Sequence, residues 1–332
     1  MRRMVIDSAN ILFRVAAAHG KYNNSGSTEE QAGLALHMAL NTFKKYYSKY
    51  RPDQIAVTFE GTNNWRKEYT RSSDCISGRV YKANRVRDDS MLPFFELIKA
   101  FEELARKHTS LVCLSAPRLE GDDIFAGYVK RFALAGDEVI GISGDKDFVQ
   151  LLKYKNFTLI DPDKGRPRTV LDVCGVDDVD FFMFEKGMRG DRGDNVFPAY
   201  PRVQKKRLLK CMTDDFELSK IMNEHWSFTD PDTGAVKEYE VGQLFKENQL
   251  LMGLDSQPQE IKDLIDATLD HELVSHGKFN HFQFVKFCGK YGLKQIAENA
   301  AGFAEMFSIT ENRSPIREHV VAARAAKSLI EF

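Results

Sequence analysis

The amino-acid sequence predicts an α/β fold, with a mostly parallel central sheet flanked by helices and a smaller C-terminal helical domain. Two observations carry that prediction. Short apolar runs alternate with amphipathic periods through the first half, and acidic residues stand where those runs end. Alternation of this kind builds a sheet covered on both faces. In such sheets ligands bind beyond the carboxyl ends of the strands, so acids placed there are expected to share one cleft.

Taken in order, Arg2–Ile6 is the first expected strand, closed by Asp7. Glu29–Lys49 repeats apolar residues at three and four positions and reads as a helix. Gln54–Glu60 is the second strand, Leu92–Lys107 a second amphipathic helix, and Leu111–Ser115 the third strand. Glu120–Leu134 opens with three acids and stops before Gly136, as helices do. Strands Glu138–Ser143 and Asn156–Asp161 follow, with Asp145 and Asp147 just beyond the first of them. After about Val176 the strand signals fade. Asp177–Met188, Arg202–Met212, Val236–Met252, Pro258–Leu269, Asn280–Tyr291 and Leu293–Phe307 read as helices. The expected division is an α/β domain at 1–180, a helical domain at 181–307 and a tail at 308–332.

Composition narrows the function classes. The 332 residues carry a formal net charge of −1, so any attraction for nucleic acid must be local. The five cysteines form no CxxC pair, which argues against zinc and against a disulfide framework. Asp7 and Asn10 interrupt the short N-terminal apolar run, so no secretory leader is expected. No run is long enough to span a membrane, and a cytoplasmic monomer is the expectation.

Single acids have ordinary explanations. Asp after a strand often forms an Asx turn, and acids in a first helical turn suit the helix dipole. The joint pattern is less ordinary. Glu120, Asp122 and Asp123 offer three acids where a cap needs one. Asp145 and Asp147 would project to one side of an extended segment, and Asp191 and Asp194 would face together from one helical turn. With Asp7 and Glu60 they make nine acidic groups expected in one place. Two carboxylates ~4 Å apart repel by about 4 kcal/mol at an effective dielectric near 20. Such a cluster calls for hard divalent cations, and Mg²⁺ suits all-oxygen ligands best, with Mn²⁺ as a substitute. Two such ions suit phosphodiester hydrolysis without a histidine base, and the eight histidines show no metal-ligand spacing.

The densest basic stretch lies at 64–87, with Arg66, Lys67, Arg71, Arg79, Lys82, Arg85 and Arg87 interleaved with Trp65, Tyr69 and Tyr81. Alone it would read as a solvated helix. Beside an acidic metal cluster, its cations are expected to hold phosphates and an aromatic to stack on an unpaired base. Lys82 and Arg85, three apart, would share a helical face and press a phosphate toward the metals. Lys205, Lys206 and Arg207 form a second basic run, read either as a duplex-phosphate contact or as an exposed amphipathic helix.

These residues together resemble the flap endonuclease/5′–3′ exonuclease family, most of all its T-even phage ribonuclease H branch. VIDSANILFR, FEG, LEGDDIFAGYV, GDKDFVQLL and GDRGDNV are similar to the family's acidic motifs in order and spacing, and RVYKANR is similar to its basic motif. The resemblance spans roughly residues 4–196. It implies a PIN-like, resolvase-like core with a basic helical arch at about 62–90, and catalytic phosphate contacts from Lys82 and Arg85. It also implies a Mg²⁺-dependent 5′ nuclease that removes RNA primers and flaps from lagging-strand fragments, acting on RNA–DNA and DNA duplexes. Single-stranded-DNA-binding protein and a sliding clamp are the implied partners. The terminal KSLIEF resembles clamp-binding peptides through Leu329, Ile330 and Phe332; the alternative is a helix end packed on the domain. VFPAYPRVQKK lacks the glycine-rich turn that serves most members as a monovalent-cation site, so no potassium site is expected there.

Two other readings compete. One is a branched-DNA-binding protein without turnover, against which every acidic motif position is filled. The other is a PIN-type ribonuclease of single-stranded RNA, which the basic segment and the helical second half disfavour.

Overall fold

Buried apolar runs joined by helical crossovers set the sheet, whose parallel strands are covered on both faces in the way such sheets require. The computed structural model describes residues 1–14, 28–85, 91–229, 234–275 and 277–309. The described residues fall into two compact units that interleave along the chain. The first comprises Met1–Thr62, Arg87–Arg168 and Asp263–Phe332; the second comprises Asn63–Val86 and Thr169–Lys262.

The first unit holds a six-stranded sheet. Its strands are β1 (Arg2–Asp7), β2 (Gln54–Thr58), β3 (Val112–Leu114), β4 (Glu138–Ile142), β5 (Phe157–Asp161) and β6 (Arg166–Pro167), in the order β3-β2-β1-β4-β5-β6. Pairing is parallel except at the short β6 edge. In register, Asp7 lies opposite Thr58 and Ile6 opposite Ile142, so β1, β2 and β4 end together. The expected parallel sheet is therefore present, with β6 as an unforeseen antiparallel addition.

Residues 8–14 are helical (α1), and α2 (Thr28–Tyr50) and α4 (Leu92–His108) follow the expected periods. Met4, Ile6, Ile55, Val57, Ile140 and Ile142 share one core cluster with residues of these two helices. The helix α5 (Gly121–Leu134) stacks Phe125 on Phe148 at 4.0 Å between ring centres. An added Cβ on Gly141 of β4 would meet Phe125 and Phe157 at 2.8 Å, so glycine there lets both rings reach the strand. From Asp263 the chain returns to this unit through most of α11 (Gln259–Glu272), with Arg131 paired to Asp266 and Asp270 at 2.7 Å. Helices α12 (His281–Lys290), α13 (Lys294–Glu298) and α14 (Ala301–Phe307) supply Phe284, Ile296 and Phe303 to the same core.

The second unit gathers α3 (Trp65–Arg71), α6 (Val170–Cys174), α7 (Val179–Arg189), α8 (Lys205–Cys211), α9 (Asp215–Met222) and α10 (Val241–Met252). Phe181, Phe184, Met188, Leu208, Leu244 and Phe245 share its core. This unit is not all helical, contrary to expectation. β7 (His225–Thr229) and β8 (Val236–Glu240) form an antiparallel hairpin, and the expected helix Val236–Met252 begins only at Val241. β7 alternates Trp226 and Phe228 with polar residues and packs both on the core, whereas β8 is mostly exposed, with Tyr239 its buried residue, so only the first strand carries an apolar alternation. The helices α11–α14 expected in a C-terminal domain belong mainly with the sheet, and the basic segment expected on the α/β domain lies in the second unit. Local periodicity sets the element type; the partner of each element depends on contacts distant in sequence. No helix among the described residues is long and apolar enough to cross a membrane. The expected sites at Arg87, Leu329, Ile330 and Phe332 lie outside the described residues.

Candidate active site

In the first unit, the ends of β1 and β4 bring Asp7 and Asp145 into electrostatic contact. Asp7 is buried and accepts hydrogen bonds from the Asn10 amide at 3.0 Å and the Ser143 hydroxyl at 2.8 Å. Ser143 Oγ in turn accepts from the Asp145 amide at 3.0 Å, and Asp145 Oδ1 accepts from the Asp147 amide at 2.8 Å. Asn10 Oδ1 accepts from the Gly144 amide at 2.9 Å and ties the same two strand ends together. Burial pushes the Asp7 carboxyl up to about 6, and the Asp145 charge adds to it. The Asn10 amide, the Ser143 hydroxyl and the Arg14 charge pull in the opposite direction. Asp145 and Asp147 do not lie in the extended segment that their spacing predicts. Lys146 between them is αR, and the Asp145 side chain closes a turn onto Asp147.

A second acidic group surrounds the start of α5. The Glu60 carboxylate accepts from the Gly121 amide at 3.3 Å. Glu120 caps the helix, and Asp123 accepts from the Glu120 amide at 3.1 Å in a reciprocal capping box. Asp123 is fully buried, whereas Asp122 is half-buried. The helix dipole favours negative charge at this end, which lets three acids stand together. Gly61 makes the arrangement possible: a Cβ there would overlap Ala116 O and lie 2.6 Å from Leu119 O. Among the described residues, no three His, Cys, Asp or Glu side chains are arranged to hold a metal ion. The acids of this unit are tied instead into short hydrogen-bonded sets.

In the second unit, Asp191 and Asp194 sit in a tight loop rather than on a helical turn. Asp191 and Val196 exchange backbone hydrogen bonds at 3.0 and 2.8 Å, and Asp191 Oδ1 accepts from the Gly193 amide at 2.8 Å. Asp194 accepts from the Tyr81 hydroxyl at 2.8 Å and from Arg85 at 2.5 Å, with Lys82 Nζ 4.0 Å away. Burial alone would raise the Asp194 carboxyl. The Lys82 and Arg85 charges and the Tyr81 hydroxyl outweigh it and hold the group below the ordinary carboxylate range. Lys186 pairs with Asp191 at 3.5 Å.

The basic segment is not the long arch helix implied by resemblance. Helix α3 ends at Arg71, and residues 72–85 run as turns and irregular chain. Lys82 and Arg85 share no helical face, because Lys82 has a left-handed backbone with φ 56°. Its amide donates to Asp194 O at 2.8 Å, which fixes that conformation. Tyr81 and Trp65 are buried, so in this conformation neither presents a face for a base to stack on. Arg66 is also buried, donating to Leu251 O at 2.7 Å, and Arg79 lies over the rings of Phe197 and Phe228. Lys67 is half-buried and Arg71 exposed. In the second run Lys206 is exposed, Lys205 donates to Cys174 O, and Arg207 is committed to Glu224 and to Tyr200. The Glu224 pairing raises the Arg207 guanidinium above its ordinary range.

Sequence reasoning did not single out Glu247. It lies on α10, is 2% exposed, and accepts from the Ile76 amide at 2.5 Å and the Ser77 amide at 3.0 Å. Its only visible signal was an acid at a buried helical position.

Residues 2–178 match the 5′-3′ exonuclease N-terminal resolvase-like domain. The 5′-3′ exonuclease of Buchnera aphidicola (subsp. Schizaphis graminum) is 23% identical over 229 residues, covering 66% of this chain and 72% of that protein. The ribonuclease H of Enterobacteria phage T4 is 25% identical over 286 residues, covering 78% of this chain and 85% of that one. In fold, the chain is similar to the bacteriophage T5 D15 flap endonuclease, solved as a pseudo-enzyme–product complex with DNA and metal ions. That likeness has a TM-score of 0.58 at 20% identity and covers 82% of this chain and 98% of the phage T5 chain. With over half of its length matched, the chain belongs to the 5′-3′ exonuclease family, a family of nucleases.

Proposed function

We propose that this chain is a divalent-metal-dependent, structure-selective 5′ nuclease that hydrolyses phosphodiesters in RNA–DNA and DNA duplexes bearing 5′ ends or flaps. The pairing that carries the reading is Asp7 with Asp145 at the ends of β1 and β4, inside a resolvase-like domain of this family. A carboxyl held up to about 6 beside a second carboxylate is a group that a cation would relieve. The donor set is all oxygen, which fits Mg²⁺ and Mn²⁺. Asp7 and Asp145 would begin such a site; the described acids form no ready three-ligand set, so Asp147, Glu60, Glu120 and Asp122 would join only by turning toward a bound ion. Asp123 serves the helix cap. When bound, divalent ions activate water and neutralise charge at the leaving oxygen.

The chain's own groups do the rest. Ser143 and Asn10 orient Asp7 and the Gly144 turn. Lys82 and Arg85 supply positive charge for phosphate, and Asp194 holds them ready. The biological setting in this reading is primer and flap removal during phage-type DNA replication in the cytoplasm. The protein acts there as a monomer alongside single-stranded-DNA-binding protein and a sliding clamp. The test compares turnover on a nicked 5′-flap duplex, an RNA–DNA duplex and plain single-stranded RNA, with Mg²⁺ and with EDTA. Mg²⁺-dependent cutting of the duplex substrates is expected. Cutting confined to plain RNA would support a single-strand ribonuclease instead, and junction binding without cutting would support a protein that has lost turnover.

A further inference from the structure

Glu247 is a carboxylate 2% exposed, and its two oxygens are spent on the backbone of one loop. Oε2 accepts from the Ile76 amide at 2.5 Å and Oε1 from the Ser77 amide at 3.0 Å, while the Tyr69 hydroxyl donates at 3.4 Å. A carboxylate offers two accepting oxygens, one for each of two successive amides, whereas an amide side chain offers one. The loop is held further along its length. Tyr239 donates to Ser77 O at 3.2 Å, the Tyr81 amide donates to Thr70 at 3.0 Å, and Asn195 donates to Val80 O at 2.9 Å. The strap ends in the left-handed Lys82, whose amide is bound to Asp194 O.

We infer that Glu247 is a positioning residue, anchoring residues 75–77 so that the strap presents Lys82 and Arg85 in one fixed register. The inference rests on the reading above that Lys82 and Arg85 serve the substrate phosphate. Glu247 acts through the backbone that carries both residues. Gly78, with φ +65°, lets the chain turn directly after the anchored pair.

The test is a double-mutant cycle read as single-turnover cleavage of a 5′-flap DNA duplex with Mg²⁺. Glu247→Gln keeps size but places an NH₂ against one of the two amides; Glu247→Asp keeps the charge and shortens the reach. Each is expected to slow cleavage about tenfold in the parental protein, and by less than about twofold when Lys82 and Arg85 are already alanine. In parallel, hydrogen exchange at the Ile76 and Ser77 amides is expected to quicken in both variants. Losses that multiply in full, or an unchanged rate in both variants, would overturn the inference. A parental protein that fails to cut the flap would refute the nuclease reading alone. Exchange at Ile76 and Ser77 would then still decide the anchor: parental protection in Glu247→Gln and Glu247→Asp would reject it.

Discussion

Replacing Asp7 with asparagine should make the metal-free protein more stable. Asp7 is 6% exposed, and burial holds its carboxyl at about 6 against an ordinary 3.8. That difference corresponds to about 3 kcal/mol. The sign follows from proton binding. Below pH 3.8 the carboxyl is protonated in both the folded and unfolded chain, and it costs nothing. As pH rises toward 6 the unfolded chain releases its proton while the folded one keeps it, so stability falls. Above 6 the folded protein carries the full charge in a buried place, and the penalty stays constant. Asparagine keeps the shape and an acceptor for the Asn10 amide but cannot ionise. In EDTA, urea melts of Asp7→Asn and the parent should differ by less than about 1 kcal/mol near pH 4 and diverge by about 3 kcal/mol at pH 8. Added Mg²⁺ should stabilise the parent and leave the variant nearly unchanged. A variant no more stable than the parent at pH 8, or a gap independent of pH, would refute the reasoning.

Three further expectations concern other parts of the molecule. Lys82→Ala should slow single-turnover flap cleavage at least about tenfold while changing duplex affinity by less than about threefold, measured by quenched flow and fluorescence anisotropy. Gly61→Ala should cost about 3 kcal/mol in urea melts, because its Cβ would overlap Ala116 O; a loss under about 1 kcal/mol would mean the 116–119 loop yields easily. Removing Lys327–Phe332 should abolish capture on an immobilised sliding clamp and leave turnover on naked flap DNA intact, and retained capture would reject the tail as the clamp contact.

The sheet was legible because its strands are buried on both faces and therefore read as apolar runs, as at Val139–Ile142 and Phe157–Ile160. The acids were legible as positions but not as geometry. Asp145 and Asp147 were expected to project together from an extended chain, yet the Asp145 side chain folds back onto the next amide but one. Asp191 and Asp194 lie in a loop closed by the Asp191–Val196 bridge, with the Asp194 amide donating to Asp191 Oδ1, in place of a helical turn. Spacing cannot distinguish these cases, since Asp competes for nearby amides in every one of them. Helix boundaries failed where a strand ran into a helix: apolar positions continue from Val236 to Met252, and the change of period at Glu240 is lost among charged neighbours. The basic segment misled most. Composition marked Arg66 and Tyr81 as cations and rings for nucleic acid, but both are buried and committed within the fold. Glu247 shows in the sequence only as an acid at a buried helical position, because its partners are backbone amides 170 and 171 residues earlier in the chain.

The most direct measurement of the central claim is Mg²⁺-dependent cleavage of a 5′-labelled flap duplex by the parental protein and by Asp145→Ala, beside their affinities for the same junction in Ca²⁺. The parent is expected to cut, Asp145→Ala to lose at least about a thousandfold in rate, and both to bind the junction with similar strength. A variant that cuts at the parental rate would contradict the claim.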